Sequence, residues 1–170
     1  MAEQTHEETE TMTVGLSDES RAGVVELLSK TLADQHVLYM KLRNYHWNVI
    51  GPHFKPLHEL FEEQYEQINE AIDETAEFIR QYDAPAPGTL AEMLELARLS
   101  EAEGETPDAN TMVANLLADH ETIVAQIRED IEKIDDDYDD DASEDYYIKL
   151  LQDHLKMAWM LRATVQGLAV

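Results

Sequence analysis

The sequence predicts an all-α fold, most simply a four-helix bundle with a long connection between its second and third long helices. Apolar residues recur at three- and four-residue steps along most of the chain. No run alternates apolar and polar residues as a half-buried strand would. The breaks fall where helices end, at Gly51-Pro52 and in the stretch DAPAPG at 83–88.

The elements follow in chain order. Residues 1–16 are rich in Glu and Thr without periodicity and are expected to be a flexible acidic tail. Ser17, followed by Asp18 and Glu19, is a helix start, with the two acids near the positive end of the helix dipole. Leu28, Leu32, Tyr39, Leu42 and His46 then trace one helical face as far as Gly51-Pro52, which puts His46 on the core-facing stripe. A second helix is expected from near Pro56 to about Tyr82. The segment TLAEMLELARL, 89–99, reads as a short extra helix within the long connection. Thr106-Pro107 opens a third long helix to about Ile134. Asp141, with Glu144 three residues on, resembles a capping box opening a fourth long helix to about Gly167. Residues 17–170 are thus expected to form one domain, and 44% hydrophobic content supports a single core.

Charge narrows the function. Thirty-seven acidic residues face twelve Lys and Arg, for a formal charge of -25, so self-repulsion is large in dilute buffer. The screening length falls from about 10 Å at 0.1 M salt to about 3 Å at 1 M, so a molar-salt cytoplasm mutes most of that repulsion. The charge therefore fits a halophilic source, with an acidic mesophilic surface as the alternative. Duplex DNA is disfavoured as a partner, because its affinity rests on Lys and Arg neutralising phosphates, and no Lys or Arg precedes Arg21. The start MAEQTHEETE lacks the basic and apolar regions of a secretory signal, and no window approaches eighteen consecutive apolar residues. The expected location is cytoplasmic, away from membranes, which the absence of cysteine allows.

The chemistry concentrates on the second helix. At about 100° per residue, His58, Glu62, Asp73 and Glu77 fall within an arc of roughly 100°, while Leu57, Leu60, Phe61, Ile68, Ile72 and Ile79 occupy the other side. Fifteen residues separate His58 from Asp73, roughly 22 Å at about 1.5 Å per residue, so one metal cannot touch both ends. Two copies of the helix packed antiparallel about a twofold axis bring His58 and Glu62 of one chain beside Asp73 and Glu77 of the other, making two identical sites. The usual internal site of a bundle needs Glu-x-x-His pairs on facing helices. The one Glu-x-x-His here is Glu3 to His6, in the tail. Imidazole with carboxylates and no thiolate suits Fe(II), Mn(II) or Zn(II). An acidic, solvated helix face with histidines capping a core gives the same pattern, and spacing alone leaves both readings open.

NYHWNV at 44–49, Gly51-Pro52 with Phe54, LHELFEEQY from 57 and AIDETAEFIR from 71 together resemble the signature of the Dps-type mini-ferritins, in that order and spacing. The similarity runs on through TLAEMLELA to WMLRA, covering about residues 20–166. The resemblance implies a ferritin-like four-helix bundle assembled as a hollow dodecamer of tetrahedral symmetry. It implies a ferroxidase that oxidises Fe(II), preferentially with hydrogen peroxide and otherwise with dioxygen, and stores ferric mineral inside, which protects against oxidative damage. His46, His58 and Glu62 of one subunit, with Asp73 and Glu77 of its twofold mate, are implied as the ferroxidase site. Many relatives carry Asp where this chain has Glu62.

The resemblance also places Glu63, Glu66, Glu70 and Glu74 toward the cavity, where they are expected to gather Fe(III) for mineral growth. It puts the start of the fourth long helix at a threefold axis, so that Asp137, Asp140, Asp141 and Asp145 are candidates for an iron-entry pore. Trp47 is expected to be core packing, with electron donation to stray radicals as the second reading. His36, His53, His120 and His154 have no partner by spacing, and His120 and His154 are expected to face partner helices or solvent. Some relatives bind DNA through a basic tail, which makes a nucleoid-associated protein the alternative function. The tail here carries Glu3, Glu7, Glu8 and Glu10 instead.

Overall fold

The computed structural model describes residues 15–101, 104 and 106–168. The expected tail, apart from Gly15 and Leu16, lies outside them, as does the Glu3–His6 pair. The elements are α1 (Asp18–Asn48), α2 (Phe54–Gln81), α3 (Leu90–Leu96), α4 (Ala109–Lys133), a π-helical turn (Ile134–Tyr138) and α5 (Asp141–Leu168). The four long helices form the bundle, and α3 is the short extra helix in the connection between the second and third of them. Among the described residues there is no strand, and no helix is long and apolar enough to cross a membrane.

Helix α1 starts as expected, with the Ser17 hydroxyl accepting from the Ser20 amide at 3.0 Å. Leu16, just ahead of it, packs against the core. Gly51, at φ +117°, makes the corner to α2 in a conformation that L side chains rarely adopt. Helix α2 begins two residues before Pro56, at Phe54. Proline is tolerated there because the first-turn amides have no intrahelical partner.

Three starts differ in detail. Thr89 and Glu92 form a reciprocal capping box at α3, which the expected 89–99 helix did not include. The cap of α4 is Asp108, which accepts from the Thr111 amide at 3.0 Å, in place of Thr106-Pro107. At α5 the cap position belongs to Asp140, whose carbonyl accepts from the Glu144 amide at 3.0 Å, so the expected Asp141–Glu144 box is corrected. In a run of consecutive aspartates the spacing rule fits more than one register, and tertiary contacts choose. Here the Tyr82 and Ser143 hydroxyls both donate to the Asp140 carboxylate.

Helix α1 pairs with α2 and α4 with α5 over a core that includes Leu28, Phe61, Ile68, Leu116, Ile127 and Tyr147. The connection is fastened by charge. Arg98, just past α3, gives Nε to Asp34 of α1 at 2.7 Å and Nη1 to Asp130 of α4 at 2.8 Å. The other Asp34 oxygen accepts the Arg98 and Leu99 amides at 2.6 and 3.0 Å. Burial raises the pKa of the Asp130 carboxyl, and the nearby guanidinium offsets only part of that rise.

Candidate metal centre

The corner between α1 and α2 brings two sequence-predicted residues together. His46 Nδ1 lies 2.8 Å from the His58 carbonyl, and His58 Nδ1 lies 2.8 Å from the His46 carbonyl. The rings stack with centroids 3.7 Å apart and planes 20° from parallel. A carbonyl oxygen can only accept, so both Nδ1 atoms carry the proton and donate. In the neutral rings Nε2 then carries the lone pair, the form in which imidazole binds a metal. This arrangement needs His46 on the last turn of α1 and His58 on the first turns of α2, with Gly51 folding one onto the other.

Glu62 stands one turn further along α2. Its Oε1 accepts a hydrogen bond from the Tyr65 hydroxyl at 3.1 Å, and the Tyr65 ring meets the His46 ring edge-on at 5.2 Å. Burial, and then the Glu62 hydrogen bond, push the Tyr65 phenol above its ordinary pKa. The Arg43 guanidinium lies 5.0 Å from the ring centroids of both Tyr65 and Trp47 and 5.5 Å from that of Tyr39. Trp47 is 57% exposed, so within one chain it is surface and not core, contrary to the packing expectation. Tyr65 and Arg43 are not among the site residues expected from the sequence. Their signal is positional, since Tyr65 follows Glu62 by three residues and Arg43 precedes His46 by three, which puts each on its partner's helix face.

Asp73 and Glu77 lie exposed further along the same unbroken helix. At about 1.5 Å per residue, Asp73 is roughly 22 Å from His58, as expected. Among the described residues no group of three or more His, Asp or Glu side chains comes together within one chain to hold a metal. Within one chain the His46–His58 pair and the Asp73 and Glu77 carboxylates therefore stand apart.

The secondary candidates divide. Glu63, Glu66 and Glu70 are exposed along α2, whereas Glu74 is ion-paired to Lys149 of α5 at 2.5 Å. Of the four pore aspartates, Asp140 is held inward by Tyr82 and Ser143, while Asp137, Asp141 and Asp145 are exposed. Asp145 lines an open groove with Glu74, Glu77 and Lys149. His53 is exposed at the start of α2. His120 and His154 are buried facing each other across α4 and α5, with their Nδ1 atoms 2.9 Å apart. Burial holds His120 well below the ordinary histidine pKa and pulls His154 down to about 4.

A ferritin-like domain matches residues 25–169. The chain belongs to the ferritin-like family, as the bundle and its carboxylate-bearing helix define. Within that family its close homologues and structural neighbours are Dps proteins. It is 40% identical over 141 residues to the DNA protection during starvation protein 2 of Bacillus anthracis, covering 82% of this chain and 94% of that protein. The crystal structure of a Dps protein from Bacillus brevis superposes with a TM-score of 0.83 at 35% identity, covering 88% of this chain and 99% of that one. A Vibrio cholerae Dps protein, described as a member of a broad superfamily of ferritin-like diiron-carboxylate proteins, superposes with a TM-score of 0.84 at 28% identity, covering 91% of this chain and 96% of that one.

Proposed function

We propose that this chain is the subunit of a ferroxidase and iron store, with Fe(II) as its substrate and hydrogen peroxide as its preferred oxidant. The observation that carries the reading is the reciprocal His46–His58 pair, which leaves two bare Nε2 atoms beside Glu62 in a chain that holds no complete ligand set among its described residues. Asp73 and Glu77 of a twofold mate supply the missing carboxylates, so assembly creates the site. Nitrogen donors favour Fe(II), and the carboxylates favour the ferric product.

Two Fe(II) with one H2O2 and two waters give two FeO(OH) and four protons, so each turnover removes both reactants of radical chemistry and needs proton acceptors nearby. Glu62, Asp73 and Glu77 serve in that role, and the exposed Glu63, Glu66 and Glu70 gather ferric product on the cavity side of a dodecamer. Asp137, Asp141 and Asp145 are the pore candidates, with Asp140 contributing through the cap it forms. The net charge of -25 argues against duplex DNA as the partner.

The test is anaerobic Fe(II) loading followed by peroxide, with ferric absorbance and particle mass recorded for wild type and for His58→Ala/Asp73→Ala. Fast oxidation and iron retention by wild type alone support the reading. Equal rates in both would show that these residues are structural.

A further inference from the structure

We propose that His36 is a further metal ligand, supplying nitrogen to the carboxylate half of the shared site. This inference rests on the shared-site reading and adds a residue to it. His36 sits ten residues before His46 on α1, about 15 Å along the axis, so it cannot serve its own chain's histidine half. It lies instead against the carboxylate half. His36 and Asp73 line the same cavity of about 240 Å³, bounded by α1, α2 and the segment leading into α3.

The tautomer of His36 is fixed in the same way as those of His46 and His58. Its Nδ1 is 2.9 Å from the Leu32 carbonyl one turn back and must donate to it. In the neutral ring Nε2 is then the acceptor. His36 and Asp73 thus share the lining of one cavity with Leu32, Ile72, Ala76 and Met93. A divalent cation in that cavity would be offered one imidazole nitrogen and one carboxylate, a pairing that suits borderline transition metals.

When the mate's His46, His58 and Glu62 approach Asp73 and Glu77, His36 adds a third nitrogen to a five-residue set. Three imidazoles shift the donor set toward borderline divalent metals, so the site takes Zn(II) and Co(II) alongside Fe(II). The ligand class is a divalent transition metal, and the residue belongs to the subunit that contributes Asp73.

The probes are Zn(II) by calorimetry and Co(II) by its visible spectrum, both without oxidant, on assembled wild type, His36→Gln and His58→Ala/Asp73→Ala of verified particle mass. The proposal expects His36→Gln to bind Zn(II) at least about tenfold more weakly and to show an altered Co(II) spectrum, while the double variant loses the site. If His36→Gln matches wild type while the double variant loses binding, His36 is not a ligand and the shared site stands. If the double variant also matches wild type, the shared site fails and His36 fails with it. Wild-type crystals soaked in Zn(II) give a check that needs no variant. An anomalous peak about 2.0–2.1 Å from His36 Nε2 supports the assignment; a zinc bound without it overturns it.

Discussion

His46 and His58 hold each other in place, each ring donating to the other's carbonyl at 2.8 Å across a glycine corner. The two hydrogen bonds consume both Nδ1 protons and present both Nε2 lone pairs. In the neutral rings the tautomer with a free Nε2 is thus selected by the backbone of one chain.

Glu62 is held less firmly, by the Tyr65 hydroxyl at 3.1 Å. Tyr65→Phe keeps the ring against His46 and removes the donor. Fe(II) oxidation is expected to slow about tenfold, at the low end of the effect of removing a supporting hydrogen bond around a metal ligand. Stopped-flow ferric absorbance checks this, with circular dichroism expected to be unchanged.

Arg98 is the one cation hydrogen-bonded to both Asp34 and Asp130 among the described residues. Arg98→Met leaves two buried carboxylates without it and is expected to cost about 3–5 kcal/mol. The measurement is the urea midpoint of the assembled protein. A shift as small as that of an exposed ion pair would contradict the clamp.

Gly23 lies on α1 where the π turn crosses it, and a Cβ there would fall 2.2 Å from the Tyr138 ring. Gly23→Ala is expected to destabilise by about 1–3 kcal/mol through overpacking. In a Tyr138→Ala background the same change should stabilise by about 1 kcal/mol, the ordinary gain of alanine over glycine in a helix. Paired thermal melts test the change of sign.

The His120–His154 pair makes stability depend on pH. Both are buried, and His154 is pulled down to about 4 from the ordinary value near 6.5. The unfolded chain therefore binds protons below pH 6.5 that the folded chain refuses, so stability is full above about 6.5 and is lost on acidification toward pH 4. The loss is roughly 1.4 kcal/mol per pH unit for each histidine held neutral. His120→Leu/His154→Leu should flatten that part of the curve, leaving the carboxylate contribution at lower pH.

The four long helices and the short one were legible because apolar periodicity and Gly/Pro breaks act locally. The shared helix of His58, Glu62, Asp73 and Glu77 was legible for the same reason, since i, i+4 spacing on a helix fixes a face, and the 22 Å gap followed from rise per residue, at about 1.5 Å each. The His46–His58 interlock was not, because it depends on the angle Gly51 gives the corner. Nor was the His120–His154 contact, which joins residues 34 apart in the chain. Arg98 escaped notice because its partners lie on two other helices. The α5 cap shifted by one aspartate because local spacing cannot choose among neighbouring acids, and Tyr82, far away in sequence, does.

The measurement that bears most directly on the shared site is complementation. His58→Ala and Asp73→Ala subunits, each inactive alone, are unfolded together and reassembled. A mixed dimer has one site with both changes and one site with neither, so peroxide-driven Fe(II) oxidation should return to about a quarter of the wild-type rate if subunits pair at random. Recovery at that level confirms that histidine and carboxylate halves come from different chains. No recovery from mixtures that demonstrably contain both subunits would contradict the account.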